Sequence, residues 1–186
     1  MKKIFFIIGM SSFCFTEFRM GIDVMKDLHI TKRYKMNKNI VLGYESFLKD
    51  KTGIGLELVM PTEVDSIRSL EFGIISLYGM YKLSSKDNIE AFFKFGLSHV
   101  RQNHDPDTID YLSWEYDFLD QYSSENGILK VKNSPMIGFG ANFNKKYQIS
   151  YTLHTSSIEI GYKSSNYIYS EVYSWSISRF SLSMLF

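Results

Sequence analysis

Apolar and polar residues alternate with a period of two through most of the chain. In the first such segment the even positions from Phe18 to Val24 are apolar, whereas Arg19 and Asp23 between them are charged. Successive side chains of a β-strand point to opposite faces of its sheet. The pattern therefore predicts strands with one apolar and one polar face.

The alternation predicts eight strands, at about 18–24, 40–48, 54–60, 67–83, 89–97, 137–144, 147–153 and 173–186. In three places the apolar positions change parity: near Ile74, at Ser156–Ser157 and at Arg179. A β-bulge inserts one residue and shifts the side chains that follow. We expect a bulge at Arg179 and a bulge or twist near Ile74, and a bulge at Ser156–Ser157 would account for the change there.

The connections between these strands alternate in length. Short turns are expected at Lys49–Gly53, Ser84–Asn88 and Lys145–Lys146, whereas the connections between them are on the whole longer. All short turns then lie at one rim, together with the start of the first strand and the end of the last. This asymmetry is typical of membrane barrels. We therefore expect an all-β fold, an eight-stranded antiparallel up-and-down transmembrane β-barrel with short periplasmic turns and long extracellular loops.

Charge is segregated between the two faces of the predicted strands. The apolar face is nearly free of charge, and an arginine or lysine on a lipid-facing surface costs about 2–4 kcal/mol at mid-bilayer. The other face carries Arg19, Asp23, Glu45, Glu57, Glu90 and Lys94 among glycines. The alternative is a soluble eight-stranded ligand carrier, whose apolar face points inward.

The N-terminus has the pattern of a secretory leader. Met1, Lys2 and Lys3 precede an apolar stretch from Ile4 to Phe15, which is too short for a membrane-spanning helix. We assign 1–16 to a signal peptide, with its cleavage position open, and 17–186 to the barrel. The alternatives are a buried N-terminal element and a lipidated Cys14. Cys14 is the only cysteine, so the mature barrel has no disulfide framework.

The last strand carries a recognisable ending, in which the apolar residues are Phe180, Leu182, Met184 and Phe186. This ending resembles the C-terminal assembly signal of outer-membrane barrels, and the chain after the leader resembles the small OmpA-like and OmpX-like barrels. The resemblance implies export to a bacterial outer membrane, insertion by the barrel-assembly machinery, contact with outer-membrane lipid and lipopolysaccharide, and a monomer. The net charge of +1 gives no basic footprint for nucleic acid.

Side chains fill the interior of an eight-stranded barrel, so an open pore is not expected. The inward charges, with Glu71 and Arg179 as further members, predict a salt-bridge network that plugs the lumen, because buried charges need partners. The same carboxylates also suit a proton or ion pathway, which stays an alternative. No cofactor is expected.

The predicted connection at about 102–135 is much longer than a hairpin needs, and such connections are often functional. We expect it to be an extracellular loop with an external ligand, bound through Asp105, Asp107, Asp110, Trp114 and Tyr116. The three aspartates are also candidate calcium ligands. However, the twelve-residue loop with its glycine is missing, so no metal is expected.

One set of residues has an enzymatic interpretation. His154-Thr155-Ser156, followed by Asn166 and Glu171, resembles the pattern of the lipid A deacylase (PagL) barrels. The resemblance implies Ser156 as nucleophile, His154 as base, Glu171 as its orienting group and Asn166 as oxyanion donor. Ser157 replaces an asparagine of that family, the spacings are longer, and parity directs His154 and Ser156 into the lumen. The leading hypothesis is therefore a non-enzymatic, structural or surface-binding barrel, with the lipid A acyl hydrolase as the alternative.

Overall fold

The computed structural model describes residues 15–30, 33–47, 51–65, 67–86, 88–103, 127–163 and 168–186. Within these ranges the chain is all β, and no helix that would be long and apolar enough to cross a membrane is present. The ten strands are β1 (Phe15–His29), β2 (Arg33–Lys35), β3 (Ile40–Phe47), β4 (Thr52–Val64), β5 (Ile67–Lys86), β6 (Ile89–Asn103), β7 (Gly127–Val131), β8 (Ser134–Phe143), β9 (Tyr147–Lys163) and β10 (Ile168–Leu185).

Eight of the ten strands, all except the short β2 and β7, form a closed antiparallel ring. Its order is β1, β3, β4, β5, β6, β8, β9 and β10, and β10 pairs back onto β1. The short β2 precedes β3 and pairs with β1, while β7 precedes β8 and pairs with β9. The predicted eight-stranded up-and-down barrel is confirmed.

At one end of the barrel β3, β5 and β8 lead into β4, β6 and β9, and we call this end the turn rim. The third of these turns is tight: Asn144 and Lys145 have φ of 53° and 52°, as in type I′ turns. Phe18 and Phe186 exchange two backbone hydrogen bonds, of 3.3 and 2.9 Å, so the two ends of the barrel wall meet at this rim as expected.

Exposed apolar side chains cover the outside of the barrel next to the turn rim and form what we call the belt. It begins at the turn rim, and its last exposed apolar residues are Ile75 on β5 and Leu97 on β6. The next outward-facing residue on β6 is the polar His99. The belt includes Phe18, Met20, Ile22, Tyr44, Ile54, Leu56, Leu58, Leu77, Tyr81, Phe93, Phe95, Ile137, Phe139, Leu182, Met184 and Phe186.

The interior has a polar layer and an apolar layer, and in addition a second apolar cluster of Phe47, Tyr78, Met80, Phe92 and Met136. Inside the belt lies a polar layer that contains buried Arg19, Asp23, Glu57, Lys94 and Arg179. Nearer the other end, which we call the loop rim, the inward side chains are apolar. This apolar layer consists of Leu28, Ile30, Tyr34, Met36, Val41, Val59, Val64, Leu70, Phe72, Ile74, Val100, Ile158, Ile160, Trp175 and Ile177. The polarity of the wall is therefore inverted beyond the belt, with apolar residues inside and exposed polar residues outside.

This inversion explains why the apolar positions change parity at three places in the sequence. The strands that contain these places, β5, β9 and β10, have no bulge there. Phe72 and Ile74 face inward and Ile75 faces outward with one uninterrupted parity along β5. The pairing of β9 with β10 likewise has no register shift at Ser156–Ser157 or Arg179. Two register shifts lie instead in the partner strands, one in β4 between Val59 and Thr62, opposite Ile74 and Phe72, and one in β1 between Asp23 and Met25, opposite Ser181 and Phe180. The apolar residues change face because the interior changes character.

The strands continue into most of the connections that the sequence predicted to be long. The strand expected at 54–60 runs to Val64, and the next begins at Ile67. Strand β5 has 20 residues, whereas a membrane-crossing strand needs about 9–11. The wall therefore extends beyond the belt on the loop-rim side. The predicted loop at 102–135 is partly strand, because it includes the end of β6, all of β7 and the start of β8. Its residues 104–126 lie outside the described residues.

At the other end of the sequence, β1 begins at Phe15, two residues before the expected start of the barrel domain at residue 17. Phe15 and Thr16 pair with Phe47 and Ser46 of β3. The rest of the predicted leader, residues 1–14, lies outside the described residues.

Candidate functional site: the barrel lumen

Arg179 is the most extensively bonded cation of the polar layer. Residues 175–185 of β10 alternate between the two faces, and this alternation directs Arg179 inward. Its guanidinium binds both oxygens of Asp23, at 2.9 and 3.0 Å, and donates a third hydrogen bond of 2.5 Å to Glu57. Ser181 Oγ also donates to Asp23, at 2.5 Å. Such bidentate, charge-assisted contacts fix both partners in one geometry.

Glu57 and Glu45 connect the remaining cations. Glu57 accepts a hydrogen bond from Arg19 with its second oxygen, and Arg19 Nε lies 3.5 Å from Glu45. Lys94 donates to Glu45 at 2.7 Å. Three cations and three carboxylates thus form one connected network across the lumen, and all six are buried: Arg19, Lys94 and Arg179 with Asp23, Glu45 and Glu57.

Neutral groups complete the bonding of the carboxylates. Tyr78 Oη donates to Glu45 at 2.8 Å, and Gln148 Nε2 donates to the other Glu45 oxygen at 3.2 Å. Gln148 also accepts from Lys94 and donates to Asn142. With these donors the buried charges are largely satisfied, as their burial requires.

Two glycines make room for this network. A Cβ at Gly43 would lie 2.8 Å from Arg19 Nε, and a Cβ at Gly55 would overlap the ring of Tyr78. Both glycines face the lumen on neighbouring strands, β3 and β4. A side chain at either position would displace a member of the network.

Two carboxylates predicted for the network lie outside it. Glu90 is half-buried and pairs with Lys82 at 3.3 Å, close to the turn rim. Glu71 lies beyond the belt, where it accepts a hydrogen bond from Asn103 at 3.5 Å. Glu71 faces outward because its neighbours Leu70 and Phe72 both face the apolar layer.

The residues of the enzymatic alternative are not assembled into a catalytic arrangement. His154 is fully buried, and its Nδ1 lies 2.9 Å from Ser98 Oγ, which in turn lies 2.8 Å from Ser76. Ser156 Oγ instead donates to the Asn133 carbonyl, at 3.0 Å. Glu171 is exposed and accepts from Tyr173, and Asn166 lies outside the described residues.

The residues predicted to bind an external ligand lie outside the described residues, so their arrangement stays a prediction; they are Asp105, Asp107, Asp110, Trp114 and Tyr116. Within the described ranges no group of three or more histidine, cysteine or acidic residues is placed to hold a metal ion.

Lys26 is a lumen residue that the sequence pattern missed. It is 3% exposed, although the parity of the preceding residues would direct it outward. The register shift between Asp23 and Met25 changes the parity of β1 and brings Lys26 inside. A single-residue shift of this kind leaves no clear signal in a short polar stretch.

No protein-family model matches the sequence, and no curated protein is similar to it at a significant level. Its structure, however, is similar to those of small outer-membrane proteins. OprG from Pseudomonas aeruginosa shares 9% identity over 91% of this chain and 95% of its own, with a TM-score of 0.51.

Two further structures are more similar by TM-score. The outer-membrane protein AlkL shares 9% identity over 91% of this chain and 90% of its own, at 0.57. Neisserial surface protein A shares 9% identity over 93% and 99%, at 0.55. At these identities the likeness concerns the fold alone. The chain has the fold of the small outer-membrane β-barrels, as the resemblance in its sequence implied.

Proposed function

We propose that this chain is a non-enzymatic barrel of the bacterial outer membrane, held in the lipid by its belt and exposing its loop rim to the outside. The belt carries the proposal. Exposed Leu77, Leu97 and Phe139, at 65%, 65% and 59%, would be unfavourable in water but are suited to lipid. Lipid and lipopolysaccharide are the proposed surroundings, the barrel-assembly machinery the proposed insertion route, and a monomer the proposed state.

The polar layer supports a structural role for the lumen. Its charges bond to one another across the barrel, and each bond would have to break before a solute could pass. We infer that the network closes the lumen and stiffens the wall rather than conducting ions. The surface-binding role belongs to the segment 102–135, whose acidic and aromatic residues would meet an external ligand.

The placement of the lumen residues favours this role over lipid A hydrolysis. His154 is enclosed and bonded to Ser98, whereas a lipid substrate would approach from outside the barrel. Ser156 bonds to a backbone carbonyl of the wall. No described contact joins these two residues, so the acyl hydrolase is not carried further.

Mass analysis of lipid A tests the proposal directly. Cells that produce the native chain, the Ser156→Ala variant or no chain should contain identical lipid A. The native barrel should fractionate with the outer membrane and migrate differently on detergent gels before and after boiling. An acyl chain lost only in cells with the native chain would establish the hydrolase, and recovery of the folded chain in buffer without detergent would refute the membrane barrel.

A further inference from the structure

Lys26 lies where the two interior layers meet. On β1 it pairs with Arg179 of β10, a cation of the polar network. The next residue of β1 that faces the lumen, Leu28, pairs with Ile177 of the apolar layer. Its side chain crosses the lumen towards β5, where Nζ donates a hydrogen bond of 3.4 Å to the Phe72 carbonyl. The ammonium group is therefore enclosed between salt bridges and hydrocarbon.

No carboxylate pairs with Lys26 in the described part of the chain. The three other buried cations of the polar layer are balanced by three carboxylates, so Lys26 is one positive charge in excess. Asp23 is engaged by Arg179 and Ser181. Asp27 accepts from exposed Arg33, at 2.5 Å. Glu17 lies near the opposite rim, about 30 Å away along β1 at about 3.3 Å per residue.

Three further polar atoms, on the two strands that precede β1 in the ring, β9 and β10, are buried without a described partner. They are Thr152 Oγ1, His154 Nε2 and Trp175 Nε1. Thr152 stands opposite Arg179 and His154 opposite Ile177, so both lie in the rows of Lys26 and Leu28. The Trp175 ring stacks on Phe72, with 6.2 Å between centroids, and Phe72 accepts the Lys26 hydrogen bond. The adjacent strands β9, β10 and β1 thus direct these polar atoms and the Lys26 ammonium group into the lumen, and His154 Nε2 is a donor in the tautomer in which Nδ1 accepts from Ser98.

In that tautomer the four groups offer donors and positive charge, and among them the Thr152 hydroxyl alone can also accept. An indole N–H only donates, and an ammonium group has three protons, of which one is used. Water would serve the donors, but it would leave the excess charge uncompensated, and an unpaired buried charge costs several kcal/mol. A larger amphipathic ligand does not fit the packing, because Leu28, Phe72 and Ile177 above the site are wholly buried.

We propose that the lumen binds one small monovalent anion, of halide or formate size, between Lys26 and the polar edges of Thr152, His154 and Trp175. The anion completes the charge balance of the interior and joins the polar layer to the apolar layer. This site is independent of the proposed surface-binding role, because it lies inside the wall.

Bromide, which quenches tryptophan fluorescence, is the probe. The chain has two tryptophans, so a Trp114→Phe variant reports on Trp175 alone. Refolded in lipid, this variant should show saturable quenching. Lys26→Met should weaken bromide binding about tenfold or more, corresponding to about 1.4 kcal/mol. Lys38→Met, which alters an exposed lysine, is the matched control and should leave binding unchanged.

Stability gives a second readout that does not depend on fluorescence quenching. At equal ionic strength the native barrel should withstand more urea in chloride than in bulky gluconate, because a ligand that binds only the folded state stabilises it. Lys26→Met should lose this preference and Lys38→Met should keep it. Quenching that is unsaturable or independent of Lys26, or equal stability in both salts, would show that water or a neutral amine occupies the position. Neither outcome would bear on the lipid A result.

Discussion

At the scale of single residues, the lumen depends on carboxylates that serve two cations each. Glu57 divides its two oxygens between Arg19 and Arg179, and Glu45 contacts both Arg19 and Lys94. Sharing gives a connected network with fewer buried charges than separate pairs would need. It also makes each member depend on the others, because loss of one cation leaves a buried carboxylate underbonded.

Replacement of Arg179 by methionine should therefore be costly. The variant leaves Asp23 with Ser181 as its remaining side-chain donor in the network, and removal of one partner from a buried ion pair costs about 3–5 kcal/mol. Urea unfolding in lipid vesicles measures the loss. Adding Asp23→Asn should restore part of the stability, and exposed Lys38→Met should change it by less than about 0.5 kcal/mol. A loss no larger than that of Lys38→Met would contradict a structural role for the network.

Much of this arrangement follows from period two alone. Alternation directed Arg19, Asp23, Glu45, Glu57 and Lys94 inward, and the structure places all five in the lumen. Their partners could not be predicted, because they depend on the stagger of strands far apart in the sequence. Lys26 was missed because one extra residue at the β1 register shift reverses parity, and that shift is visible only in the pairing of β1 with β10.

At the scale of elements, a strand's alternation identifies two faces but not the surroundings of each. Along β5 the buried residues Phe72 and Ile74 are apolar and the exposed residues Ile75 and Leu77 are also apolar. Read locally, the change looks like a slip of one residue. It marks instead the level above which the exposed side chains are no longer apolar and the buried ones are.

The inversion predicts opposite tolerances to charge along one strand. On β6, Phe93 lies in the middle of the belt and His99 beyond it, both facing outward. Phe93→Arg should destabilise the barrel by about 2–4 kcal/mol in lipid vesicles, as expected for arginine at the bilayer midplane. His99→Arg should be nearly neutral in the same unfolding experiment. Equal effects at the two positions would place the membrane boundary elsewhere.

At the scale of the whole molecule, the barrel is asymmetric along its axis. The turn rim carries three short connections and both ends of the wall, whereas the extended strands, among them the end of β6 and the start of β7, reach the loop rim. In an outer membrane the longer connections face outward and the short turns face the periplasm. We expect the same orientation for this chain.

Epitope accessibility on intact cells tests this orientation. A short peptide epitope inserted after Asp117, between β6 and β7, should bind antibody without permeabilisation. The same epitope inserted after Lys145, in a turn-rim connection, should bind only after the outer membrane is opened. Labelling of the Lys145 insertion alone on intact cells would reverse the orientation. Heat-modifiable migration of both variants would verify that each insertion leaves the barrel folded.

The pairing of β1 with β10 has a consequence for the time course of folding. Arg19 and Ser183 are in side-chain contact although 164 residues separate them in sequence, and Phe18 and Phe186 close the same seam. Contacts between such distant residues form late, because chain entropy must be lost first. Until β10 arrives, one edge of β1 and one edge of β9 are left unpaired, and open edges recruit other chains into aggregates. Both edges need protection until the wall closes.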